Sequence, residues 1–269
     1  MDNKNSFIFK IITYIFLIFL VLPLIVIVIW SFTKNWPWPN LMPKEFGLRG
    51  WKHFFNPSSR SLETLLSSIW LSLVVTIIAL IISIPAGKAL GIYDFKGKKV
   101  VELLIFAPVM VPTVAIAMGI HLSFLKVGLA NTFQGVVLIH LIPCIPYSVR
   151  ILQNVFEIVG DSLDMQAKVL GASPLQVFIH VTLPLIAPGI VSAGSMVFIV
   201  SFSQYFLTLL IGGGKIVTFS MIMFPFIQSG DRMMGAVYSI VFILATLICL
   251  GIMEKAIKHF YKSGNFFFS

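Results

Sequence analysis

Residues 161–189 read Asp-Ser-Leu-Asp-Met-Gln-Ala-Lys-Val-Leu-Gly-Ala-Ser-Pro-Leu-Gln-Val-Phe-Ile-His-Val-Thr-Leu-Pro-Leu-Ile-Ala-Pro-Gly. Two short helices and a restart are written there. Residues 161–170 make the first helix, with Asp161 or Ser162 placed to cap it. Gly171 supplies a break that can take the left-handed conformation. Ser173 is placed to cap a second helix, and Pro174 fits its first turn. On that helix Leu175, Phe178 and Ile179 share one face at i, i+3 and i+4. Pro184 and Pro188 then restart the chain as an apolar run. The product is a helix–turn–helix that shows an apolar stripe to water. Such a stripe awaits a partner, and a helix laid in a groove is the natural way to meet it.

Outward from this segment the chain consists of long runs without charge. Of 269 residues, 58% are hydrophobic and 11% charged, and the mean hydropathy is +0.99. Soluble domains average about 45–50% apolar and about 25% charged. So few charges cannot cover a water-facing surface, which excludes a soluble enzyme, a secreted scaffold and a disordered tail. Charge-free runs occupy residues 11–33, 64–87, 103–125, 127–149, 169–214 and 233–253. A spanning helix takes about 20 predominantly apolar residues. The run 169–214 is too long for one span, and Pro184 divides it. The expectation is an all-α membrane protein with six transmembrane helices at about 11–32, 64–86, 103–124, 134–152, 184–205 and 233–254, in one domain over 1–269. The runs show no dyad repeat, so a β-barrel is not expected.

An even number of spans puts both termini on one side. If that side is the cytoplasm, the inner segments hold a modest excess of basic residues: Lys4 and Lys10; Lys88, Lys96, Lys98 and Lys99; Arg150 and Lys168; Lys255, Lys258 and Lys262. This favours cytoplasmic N- and C-termini. The net charge of +9 is thus loop charge, and no nucleic-acid partner is expected. Residues 11–32 exceed a signal-peptide core and no small-residue cleavage site follows, so a retained first span is expected. The outer loop holds Trp36, Trp38, Trp51, Phe54 and Phe55, read as an interfacial belt with a short amphipathic helix at 48–55. Residues 263–269 read as a loose end. Cys144 and Cys249 sit in apolar runs as small packing residues, without metal or redox spacing.

The 161–189 segment resembles the cytoplasmic signature loop of binding-protein-dependent ATP-binding-cassette (ABC) importer permeases. In that family the loop reads Glu-Ala-Ala, then Gly four residues on, then Ile/Val-x-Leu-Pro. Gln166-Ala167, Leu170-Gly171-Ala172-Ser173-Pro174 and Val181-Thr182-Leu183-Pro184 match. Met165 stands where the family has Glu, and Gln166 where it has the first Ala. The resemblance implies a coupling loop over about 157–183, between helices 4 and 5, docked on a cytosolic ATPase dimer. The docking residues it implies are Gln166, Ala167, Leu170, Gly171, Ala172, Ser173, Pro174, Leu175, Phe178 and Ile179. It also implies a second permease subunit, an extracytoplasmic substrate-binding protein and an inner-membrane location. ATP and Mg would be bound by the partner, so this chain is no enzyme and needs no cofactor. Gly212-Gly213-Gly214-Lys215 is not a phosphate loop, because Leu209 and Ile216 occupy the positions that such a motif fixes.

Polar groups within spans face the bundle interior or a water-filled path. The candidates are His121, His140, Ser201, Ser203, Gln204, Tyr205 and Thr208. The competing reading is hydrogen-bonded packing for the histidines and back-bonding for the hydroxyls. Pro108, Pro112, Pro143 and Pro146 can free backbone carbonyls toward a path. The resemblance is closest to permeases for polyamines, thiamine, ferric iron and phosphonates, so a small polar solute is expected. A stand-alone secondary transporter or channel would call for ionisable relays or a repeat, and an intramembrane enzyme for a nucleophile–base set. The sequence offers none of these.

Overall fold

The computed structural model describes residues 3–37 and 39–261. Trp38 and the 263–269 tail lie outside the described residues. The elements in order are α1 (Asn3–Ser31), β1 (Thr33–Asn35), β2 (Glu45–Phe46), α2 (Arg49–Phe55), α3 (Ser61–Ile92), α4 (Lys98–Met110), α5 (Thr113–Lys126), α6 (Phe133–Val159), α7 (Ser162–Val169), α8 (Pro174–Val177), α9 (Leu183–Leu185), α10 (Ala187–Phe202), α11 (Phe206–Gly212), α12 (Phe219–Gln228) and α13 (Arg232–Tyr261). Among the described residues, four helices are long and apolar enough to cross a membrane: Ile12–Ser31, Ser61–Ile92, Phe133–Val159 and Arg232–Ile257. Two bent pairs, Lys98–Met110 with Thr113–Lys126 and Pro174–Leu185 with Ala187–Phe202, raise the count to six if each pair is one span.

Both bent pairs depart from the sequence expectation. The third span, expected as one helix over 103–124, turns by 100° between α4 and α5. Val111 there is extended (φ −95°, ψ 133°) and Pro112 precedes α5. The proline ring excludes its predecessor from the helical region and removes one donor, so the helix stops. The fifth span bends by 72° before Ala187, where Pro188 falls in the first turn of α10. Pro184, expected to be the divider, instead lies within α9, after a wide π turn over Phe178–Thr182. In that turn the Leu183 N–H reaches back to the Phe178 carbonyl. The insertion shifts the hydrogen-bond ladder just ahead of a residue that has no N–H to contribute.

The chain divides into two compact units. One comprises Met1–Glu63 with Ile222–Ala245. Its β1 and β2 pair antiparallel, with Thr33 opposite Phe46. Arg49 of α2 forks onto the Asp231 carboxylate with contacts of 2.6 and 2.5 Å. Phe54 was expected in the interfacial belt, but it is buried with its ring 5.7 Å from that of Tyr238. Trp51 does stack beside Phe32 and Phe55.

The other unit comprises Thr64–Met221 with Thr246–Ser269. Its core gathers Leu71, Val75 and Ala79 of α3, Ala117 of α5, Val136, Ile139 and Cys144 of α6, Val197 of α10, and Leu207 and Ile211 of α11. Helices in lipid gain little from hydrophobic association, because lipid is as apolar as their own side chains; close packing drives them together. α3 and α6 show how. A β-carbon on Gly87 would come within 2.8 Å of Leu152, and one on Gly91 within 2.7 Å of the Gln153 carbonyl. Only glycine lets these backbones touch.

Candidate functional site

Two places in the second unit gather residues that the sequence singles out. The first is the 161–182 segment. α7 has Asp161 at its N-cap position, but neither Asp161 nor any other side chain closes a cap there. Gly171 ends the helix with φ +88°, a left-handed turn that a β-carbon would strain. Ser173 then caps α8 through a complete capping box. Its Oγ accepts from the Gln176 N–H at 3.4 Å, and the Gln176 Oε1 accepts from the Ser173 N–H at 2.8 Å. α8 holds only four residues, so Phe178 and Ile179 belong to the π turn and not to the α-helix expected. They are nevertheless exposed together with Leu175. Leu170 is 87% exposed and Leu175 67%. Gln166, Gly171, Ser173 and Pro174 are exposed too, while Ala167 and Ala172 are half-buried.

Asp164 faces the other way. It is 6% exposed, and its carboxylate splits between two donors. Lys88 Nζ of α3 reaches Oδ2 at 2.5 Å, and Thr182 Oγ1 donates to Oδ1 at 2.8 Å. Sequence reasoning missed this tie. Lys88 is not the loop charge that the sequence suggests; it lies on α3 with most of its side chain covered. Its place just inside the end of an apolar helix was the one available signal, because a cation there needs a carboxylate or water.

The second place is a break in the fifth span. α10 ends at Phe202, residues 203–205 are not helical, and α11 resumes at Phe206. His140 of α6 is fully buried and touches both sides of that break. Its Nδ1 lies 3.0 Å from Ser201 Oγ and its Nε2 lies 2.8 Å from Thr208 Oγ1. Thr208 gives its own hydroxyl proton to the Gln204 carbonyl at 3.3 Å. Both ring nitrogens are thus held by hydroxyls, one on each side of the break. Ser201 also approaches Ser72 Oγ of α3 at 3.4 Å. Ser220 Oγ donates to the Gln204 carbonyl at 2.8 Å, so the freed carbonyl has two partners.

The structure thus brings His140, Ser201 and Thr208 together in one buried cluster. Ser203 is exposed, but its hydroxyl back-bonds to Val200 at 3.1 Å. Gln204 and Tyr205 are half-buried at the break. His121 stands apart on α5, half-buried, its Nδ1 enclosed and without a hydrogen bond among the described residues. Among the described residues no three His, Cys, Asp or Glu side chains converge as metal ligands do.

Residues 80–261, which include both places, match the model of the binding-protein-dependent transport system inner membrane component family. The chain belongs to that family. It is a permease subunit of an ABC importer, an inner-membrane transport component whose family works with an ATPase and a binding protein. This permease is 26% identical over 247 residues to a putative 2-aminoethylphosphonate transport system permease protein of Salmonella paratyphi A, which covers 91% of each chain. It is 25% identical over 228 residues to a spermidine/putrescine transport system permease protein of Haemophilus influenzae, covering 84% of this chain and 85% of that one. Its fold matches, with a TM-score of 0.73 and 17% identity, a crystal structure of a bacterial ABC transporter involved in the import of the acidic polysaccharide alginate. That match covers 95% of this chain and 98% of the other.

Proposed function

We propose that this permease forms half of a substrate pathway and that segment 161–183 is its coupling element. Gln166, Ala167 and the 170–175 turn, with Phe178 and Ile179, seat in a groove of a cytosolic ATPase. The observation that carries this is the capped helix–turn–helix with its apolar residues turned outward. α8 is too short to span a bilayer, so a protein groove is the natural cover for Leu170 and Leu175. ATP and Mg are held by that partner, and its closure moves the seated segment as a lever that rocks the bundle between inward-open and outward-open states. A second permease subunit completes the pathway, and a binding protein delivers the solute from outside. Both termini then lie in the cytoplasm.

The solute is small and polar. The relatives named for 2-aminoethylphosphonate and for polyamines support that class, and the near absence of carboxylates within the spans favours an anion or zwitterion over a polycation. Gln204 and Tyr205 are the residues best placed to meet it. Interrupted membrane helices expose backbone and side-chain polar groups where a solute path runs. His140, Ser201 and Thr208 act behind them, holding the two flanks of the break. The docking reading is tested by cysteines placed at 170 and 175 in the membrane-embedded protein. Cross-linking captures an ATP-hydrolysing subunit if the reading holds. Capture of no hydrolase at either position, or reaction of both cysteines from the outer face, refutes it.

A further inference from the structure

Within the coupling segment α7 is bounded by a glycine turn at each end, whereas α8 runs on through the π turn and α9 toward α10. Gly160 ends α6 with φ +66° and Gly171 ends α7 with φ +88°. Glycine turns rotate readily, so neither joint by itself transmits a push from α7. Between Asp161 and Gln176 the one buried side chain is Asp164.

We propose that the Lys88–Asp164–Thr182 tie is the strut that carries movement of the docked segment into the membrane helices. The carboxylate divides its two oxygens between two destinations. Oδ2 holds Lys88 on α3, and Oδ1 holds Thr182 at the end of the π turn that leads into α9 and α10. Lys88 lies beside Gly87 and three residues before Gly91, where α3 and α6 press backbone to backbone. A displacement delivered to Lys88 therefore moves α3 and α6 as one body, and the Thr182 branch moves the entry to α10. Met165, the next residue, is exposed. The Asp164 carboxylate thus serves the bundle, not the docking surface. Asp164 and Lys88 are positioning residues, acting through helices they hold.

The inference rests on the docking reading above, and one experiment separates the two. The permease is purified with its co-purifying ATPase, and hydrogen–deuterium exchange is compared with and without ATP plus vanadate. In the wild type the nucleotide changes exchange in 161–172 and in the bundle segments 80–92 and 183–202. In Asp164→Asn the segment 161–172 still responds, while the response of the bundle segments falls on the order of tenfold. Thr182→Val weakens the response of 183–202 and leaves that of 80–92. The exchanged pair Lys88→Asp with Asp164→Lys restores both. A wild-type bundle response in Asp164→Asn overturns the strut while leaving docking intact. If Asp164→Asn does not assemble, Lys88→Met and the exchanged pair decide: a full bundle response in Lys88→Met, or none in an assembled exchanged pair, overturns it as well. If the wild type binds no ATPase, or 161–172 ignores nucleotide, the docking reading falls and takes the strut with it.

Discussion

α1 and the α7–α8 segment both expose large apolar side chains, and the same exposure means different things in the two places. On α1, Phe19 is 76% exposed, and residues all round the helix are bare. The run is long and uncharged, so lipid covers it and no complementary surface is required. On α7–α8, Leu170 and Leu175 are as bare, but the one follows a helix of eight residues and the other stands on a helix of four, with Asp161, Asp164 and Lys168 close by. Such a segment is too short and too charged to span hydrocarbon, and under the proposed docking a protein groove covers it. Burial figures alone do not separate a lipid face from a docking face. The length of the uncharged run does.

Charge placed on each face breaks the comparison most sharply. Phe19→Asp puts a carboxylate at the middle of the first span and costs about 2.5–3.5 kcal/mol of insertion. A glycosylation or protease-accessibility assay of topology should show loss of the first crossing. Leu175→Asp should leave topology unchanged and weaken retention of the ATPase by at least about 2 kcal/mol, or about thirtyfold. Co-purification at graded salt measures this, and normal retention would make α8 an ordinary loop. Gly171→Val should behave similarly, because a β-branched residue at φ +88° is strained by about 1–3 kcal/mol.

A third change probes the fifth-span break. His140→Ala removes the ring that bridges the buried Ser201 and Thr208 hydroxyls. It should cost about 1–3 kcal/mol, read as a lower melting temperature of the detergent-solubilised protein. The smallest effect is expected at Phe19→Ala, within about 0.5 kcal/mol, because a lipid face has no jigsaw to disturb. Gln204→Ala belongs at the same end for stability, yet should alter the substrate dependence of transport. Unchanged kinetics would remove Gln204 from the path.

Much of this was legible along the chain. The charge-free runs located the long apolar helices, and Ser173, Pro174 and Gly171 the start of the second helix and the turn before it, because caps and turns depend on neighbours within a few residues. The turn at Pro112 was readable in principle, since Pro112 forbids a helical Val111, but an unbroken apolar run hid it. The four-residue α8 and the π turn were not readable. Five residues between Val177 and Leu183 have helical composition, and only the ladder around Pro184 makes them wide. Asp164 and His140 were equally opaque as to partner.

The sequence by itself determined which runs are apolar enough for lipid, the Gly171 turn and the Ser173 cap, because transfer to lipid and local hydrogen bonding depend on composition and near neighbours. The tertiary structure alone decided which polar groups meet. Lys88 and Asp164 lie 76 positions apart, and His140 lies 61 from Ser201 and 68 from Thr208. No local rule pairs residues across such distances. Helix packing does, and it is set by the volumes of many side chains at once, down to the missing β-carbons of Gly87 and Gly91 that let α3 and α6 touch.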